Sequence, residues 1–182
     1  DLALSANCSR GFYDLPRETY CRNIDNTHND CLWVVTSGAG WSVDDEVRFT
    51  NEVVTISPAV AFELWTGDTL NGRKPDASRI HLSGASMVNT ANPEGVVVLS
   101  TNAILKDVEI SQSPEHGVYG GTARGTTIEA SYLHHNAADG IKFASALILG
   151  EQISPRDNTI GSTNASRGNT IGDNGGSGVA IL

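Results

Sequence analysis

The sequence predicts an all-β chain wound as a solenoid of short parallel strands, and three observations predict it. Gly-aliphatic pairs recur at Gly95-Val96, Gly117-Val118, Gly140-Ile141 and Gly178-Val179, at intervals of 22, 23 and 38 residues, the last being 23 plus a 15-residue insertion. Apolar side chains alternate inside each unit, as in Val96/Val98, Val108/Ile110 and Ile141/Phe143, which puts them on one face of a strand rather than on a helical stripe. Gly is frequent (19) while Met occurs once and aromatics make up 6%. That mix suits corners and short strands, because Gly and Asn tolerate the positive φ that corners need.

Further columns support the repeat. Seven residues before each Gly stands an apolar residue, Val88, Ile110, Leu133 or Ile171, and a second column at Ile80, Ile104 and Ile128 recurs at 24 and 24. Such a period fits one coil of three strands, with successive coils stacked about 4.8 Å apart. The expected inner pile is Val96, Val118, Ile141 and Val179, one above another. Four residues before Gly, the last three units carry Ser113, Asn136 and Asn174. Stacked polar side chains of this kind hydrogen-bond along the solenoid axis, so these three are read as a turn ladder.

Residues 157–182, DNTIGSTNASRGNTIGDNGGSGVAIL, carry an Asn-x-Ile-Gly, Gly-Asn-x-Ile and Gly-Val-x-Ile rhythm. This rhythm resembles that of right-handed parallel β-helix repeat proteins, the pectin-lyase-like fold. The stretch TLNGRKPDASRIHLSGASMV resembles an early coil of the same family. The resemblance covers about residues 69–182, weakens over 44–68 and does not reach 1–43. It implies a right-handed parallel β-helix with coils of about 22–24 residues. It specifies function hardly at all.

Two units follow: a cap segment over 1–43 and the β-helix over 44–182, its last coil incomplete. The first segment breaks the rhythm with Pro16, Trp33, Trp41 and all three cysteines, Cys8, Cys21 and Cys31. A first coil leaves apolar surface and backbone to be covered, and a cap stapled by one disulfide does that. DLPRETYCRNID within it reads as a short helix. Cysteine usage points to an oxidising compartment, hence an extracellular or cell-surface protein. A zinc site with His28 has the wrong ligand spacing. The chain begins at Asp1 without Met, as expected of a processed form. It stops just as Gly178, Val179, Ala180, Ile181 and Leu182 begin a new coil. That edge is expected either to continue into more chain or to pair with another copy.

The net charge of −9 and the lack of a basic run argue against nucleic acid and against anionic membranes. Runs such as Gly95–Leu99 and Ala146–Leu149 are strand-sized, far below the roughly 18 apolar residues of a membrane span. Asn7-Cys8-Ser9 and Asn164-Ala165-Ser166 match glycosylation sequons, a number chance supplies in so Asn-rich a chain.

Candidate chemistry comes from the repeat register. The position before each Gly reads Glu94, His116, Asp139 and Ser177, and two after it reads Val97, Tyr119, Lys142 and Ala180. If the aliphatics point inward, Glu94, His116, Asp139, Tyr119 and Lys142 share one shallow outer face. There a carboxylate can bind calcium beside a uronate while Lys142, His116 or Tyr119 moves a proton. The plainer reading is a solvated face. Asp107 and Glu109 flank Val108 and are weak calcium candidates. His134-His135 makes a poor metal pair, since neighbours on a strand point to opposite sides. No Gly-x-Ser-x-Gly elbow, phosphate-binding loop or dinucleotide fingerprint is present.

The sequence therefore favours a secreted, non-catalytic structural solenoid that associates with its own copies end to end. A lyase or glycosidase acting on an acidic polysaccharide is the first alternative, and a sugar-binding stalk or adhesin the second.

Overall fold

A computed structural model describes residues 46–47, 55–57, 61–64, 66–74, 76–87 and 94–182. The cap segment with Cys8, Cys21 and Cys31, and Val88 of the apolar column, lie outside the described residues. What is described is all-β, with two short 3-10 turns at Gly84–Ser86 and Ala165–Arg167.

The strands come in threes. The first set is β1 (Glu46–Val47), β2 (Thr55–Ile56) and β3 (Phe62–Leu64), and the second is β4 (Thr69–Asn71), β5 (Ile80–Ser83) and β6 (Gly95–Leu99). The third is β7 (Ile104–Lys106), β8 (Val108–Ser111) and β9 (His116–Gly121), and the fourth β10 (Thr127–Glu129), β11 (Tyr132–His134) and β12 (Ile141–Phe143). A hairpin, β13 (Ala146–Ile148) and β14 (Glu151–Ile153), precedes the last set, β15 (Thr159–Ile160), β16 (Thr170–Gly172) and β17 (Val179–Ile181). The first strand of every set joins sheet A (β1-β4-β7-β10-β15), the second sheet B (β2-β5-β8-β11-β16) and the third sheet C (β3-β6-β9-β12-β17). All pairings in these three sheets are parallel; the hairpin is antiparallel, as is an isolated bridge between Arg73 and Arg79. Stacked parallel sheets visited in rotation are compatible with a β-solenoid.

The aliphatics fill the space between the sheets. In sheet B, Leu82, Ile110, Leu133 and Ile171 are register partners, and the first three are fully buried. Removing such side chains from water is the main stabilising term, at about 25 cal/mol per Å². Two columns differ from the expectation. In sheet C the inner column is Phe62, Val97, Val118, Ile141 and Val179, so Val97 takes the place expected for Val96. The cause is that Gly95 pairs with His116 instead of Gly117, one residue out of step with the later Gly column. In sheet A the column is Leu70, Leu105, Ile128 and Ile160. Ile104 lies one place off it, and Ile80 belongs to sheet B opposite Val108, so the proposed second column does not exist.

The insertion divides in two. Nineteen residues lead from Ile141 to Ile160 where ten lead from Val118 to Ile128, and eleven lead from Ile160 to Ile171 where five lead from Ile128 to Leu133. Nine of the fifteen extra residues thus make room for the hairpin, and six for the loop around the second 3-10 turn.

Corners are single residues in the left-handed region. Gln112, His135 and Asp173 (φ 58, 52 and 52°) end successive strands of sheet B, and Asn102, Gly125 and Asp157 (φ 61, 65 and 58°) lead into sheet A. Beside the corners Gln112, His135 and Asp173 runs a polar row. The Ser113 N–H donates to Asn136 Oδ1 at 3.0 Å, and the Asn136 side-chain amide donates to Asn174 Oδ1 at 2.9 Å. Gly140 is required by this row: a Cβ there would stand 2.7 Å from Gly178 O and 2.9 Å from Asn174 Nδ2.

Candidate functional site

Sheet C carries the groups selected from the repeat. Its outward row is Glu63, Val98, Tyr119, Lys142 and Ala180, so Val98 replaces the Val97 expected there. Tyr119 and Lys142 are side by side because Val118 and Ile141, the residues before them, both point into the core. The His116 and Tyr119 rings lie nearly parallel with centroids 6.2 Å apart. Glu94 is close enough to act electrostatically on Tyr119, and Lys142 on His116.

His116 is built into the corner. The Asp139 N–H donates to its Nδ1 at 3.1 Å, with Asp139 Oδ2 at 3.3 Å. Asp139 Oδ1 in turn accepts the Ser177 N–H at 2.7 Å. Burial, reinforced by the positive Lys142, holds the His116 imidazole below its usual range against the opposing pull of Asp139 and Glu115. The ring is therefore neutral near pH 7, with its Nδ1 lone pair given to the backbone and Nε2 carrying the proton. Burial and the nearby Glu94 push the Tyr119 hydroxyl up. Beside Tyr119 lies a shallow depression of about 370 Å³, lined by Tyr119, Gly120, Gly121, Thr66, Ser100, Thr101 and Thr122 among others.

Comparisons of the chain with protein-family models, with curated proteins and with solved structures find no match.

A second polar group, which the repeat did not pick out, covers sheet B. Thr55, His81, Glu109, Tyr132 and Thr170 form one outward row, and Ser83, Ser111, His134 and Gly172 the next. His81 Nε2 is 2.8 Å from Ser111 Oγ, and His134 Nε2 is 3.1 Å from Glu109 Oε1. Burial lowers the His81 imidazole, His134 adds to this, and Glu109 opposes it. The row escapes a fixed-period search because His81 and Glu109 are 28 residues apart whereas Glu109 and Tyr132 are 23 apart. The longer second coil hides it.

His134 and His135 do not diverge as strand neighbours should. The strand ends at His134, and the left-handed backbone of His135 swings its ring back beside the first, with Nδ1 atoms 2.7 Å apart. The two calcium candidates have different partners. Asp107 faces Arg167 at 3.5 Å and Arg73 at 4.0 Å, while Glu109 holds His134. Among the described residues, no three His, Cys, Asp or Glu side chains converge to hold a metal ion, and no helix is long and apolar enough to cross a membrane. Val179, Ile181 and Leu182 of the expected self-association edge are 38, 66 and 70% exposed.

Proposed function

We propose that the chain is a secreted structural solenoid, a right-handed parallel β-helix of the pectin-lyase-like kind, acting as a rigid block without turnover of a substrate. The hand follows from parallel crossover connections, which are right-handed in about 98% of cases. The observation that carries the non-catalytic reading is the use made of His116 and Asp139. Their polar atoms accept backbone N–H groups from the next coil, so the best acid–base pair on sheet C ties one coil to another. Incubated with a panel of uronate polymers and calcium, the protein is expected to release neither unsaturated nor reducing ends. Turnover that disappears in Lys142→Ala or His116→Ala overturns this and installs the lyase or glycosidase reading.

Sugar binding without turnover is the second reading, favoured by the depression lined by the Tyr119 ring and by hydroxyls, with Lys142 the register partner of Tyr119 on the next strand. Affinity electrophoresis in acidic polysaccharide should then retard the protein, and Tyr119→Ala should abolish the retardation. In the structural reading copies also associate end to end, a neighbour covering Val179, Ile181 and Leu182. A sedimentation series that stays monomeric at every concentration overturns that part alone.

A further inference from the structure

We propose that His134 and His135 bind a divalent transition metal of the copper(II) class through their two Nδ1 atoms. The nitrogens already face one another at 2.7 Å, with ring centroids 4.9 Å apart and planes at 88°. His134 is oriented as metal-bound histidines are. Its Nε2 side is held by Glu109 Oε1 at 3.1 Å, which leaves the Nδ1 lone pair free for a ligand role. Tyr132 fixes the same ring by stacking on it at 4.1 Å and 22°. In the metal-free protein the two Nδ1 atoms share a hydrogen bond. The His135 side chain is exposed, so with its proton carried on Nε2 a small turn lets both Nδ1 lone pairs converge on an ion.

Donor type selects the metal. Two imidazoles disfavour calcium and magnesium, which take oxygen ligands. Imidazole suits copper(II), nickel(II) and zinc, and copper(II) binds tightest of the divalent first-row ions. Water completes the coordination, since no third protein donor of the His, Cys, Asp or Glu type joins the pair among the described residues.

The test is a copper(II) titration of the untagged full chain, followed by affinity and by electron paramagnetic resonance. The wild type should show hyperfine coupling from two imidazoles. His135→Asn keeps a residue that tolerates the left-handed corner, and it should lose about tenfold or more in affinity and retain one imidazole. Glu109→Gln should keep both imidazoles and weaken binding by about 10–100-fold. His81→Gln should change neither. Copper held by other parts of the chain is common to all four proteins and cancels in the comparison. Equal affinity and identical spectra for wild type and His135→Asn overturn the proposal, as does a wild-type spectrum with a single imidazole. If His135→Asn fails to fold, His134→Gln decides by the same two readouts.

Discussion

At the scale of the residue, Asn136 and His116 show how polar side chains substitute for packing where the chain turns. Asn136 is buried, and its side chain accepts one hydrogen bond from the coil on one side and donates another to the coil on the other. Truncation takes the Asn136 Oδ1 acceptor from the Ser113 N–H, and leaves Asn174 Oδ1 with the Asn136 backbone N–H alone of its two bonds to Asn136. Asn136→Ala should therefore cost about 1–3 kcal/mol, read as a lower urea midpoint with unchanged slope. His116 and His81 give stability a pH dependence whose sign follows from their lowered folded pKa values. As pH falls through about 6.5, the unfolded chain takes up protons that the folded chain refuses. Stability is thus full above that range and declines below it, levelling off once the folded imidazoles also protonate. Urea midpoints measured from pH 7.5 to 5 should fall less steeply in the double variant His81→Gln/His116→Gln. Parallel curves for variant and wild type would remove both histidines from the account.

At the scale of the element, the Gly-aliphatic pair does different work in each coil, although its sequence barely changes. A Cβ on Gly140 would lie 2.6 Å from Ile171 Cγ2 and 2.7 Å from Gly178 O, whereas on Gly178 its nearest neighbour is Ile171 Cγ2 at 3.4 Å. Gly140→Ala should accordingly cost about 1–3 kcal/mol by overpacking, and Gly178→Ala less than about 1 kcal/mol, compared by thermal melting. The same pair shows what could be read in advance. Parallel strands follow from alternation and period, because both report how side chains divide between two faces. The positions of Val118, Ile141 and Val179 in one column followed from the motif itself. Val96 did not fit, since pairing between β6 and β9 is set by Gly95 against His116, a contact invisible in a pattern of Gly residues. Ile104 was misplaced because β10 pairs with β7 at a spacing of 23, Ile128 against Leu105, and not at the 24 that separates Ile104 from Ile128. The hairpin β13–β14 was counted only as extra length, and its antiparallel pairing with exposed Leu147, Ile148 and Leu149 carried no repeat to reveal it. On sheet B, the meeting of His134 and His135 depends on a left-handed φ at a histidine, which sequence alone does not announce.

At the scale of the whole molecule, strand pairing among the described residues joins each three-strand set to the sets directly beside it, so stability is approximately a sum of neighbour contacts. The value of an inward aliphatic therefore depends on how many of its sides are covered, more than on its type. Leu133 in β11 is fully buried between Ile110 and Ile171, while Ile181 in β17 pairs with Phe143 on one side and is 66% exposed. Both point inward, and both are four-carbon side chains. Leu133→Ala opens a cavity between two ordered coils and should cost about 2–5 kcal/mol. Ile181→Ala opens none, because its outer side already meets water, and should cost less than about 1 kcal/mol. Chemical denaturation of the two variants in the same buffer checks this ratio. Comparable losses would mean that Ile181 is covered in solution, and repeating the measurement over a range of protein concentrations identifies the cover. A loss at Ile181 that grows with concentration marks another copy as the neighbour, since association stabilises only the folded form that presents the face.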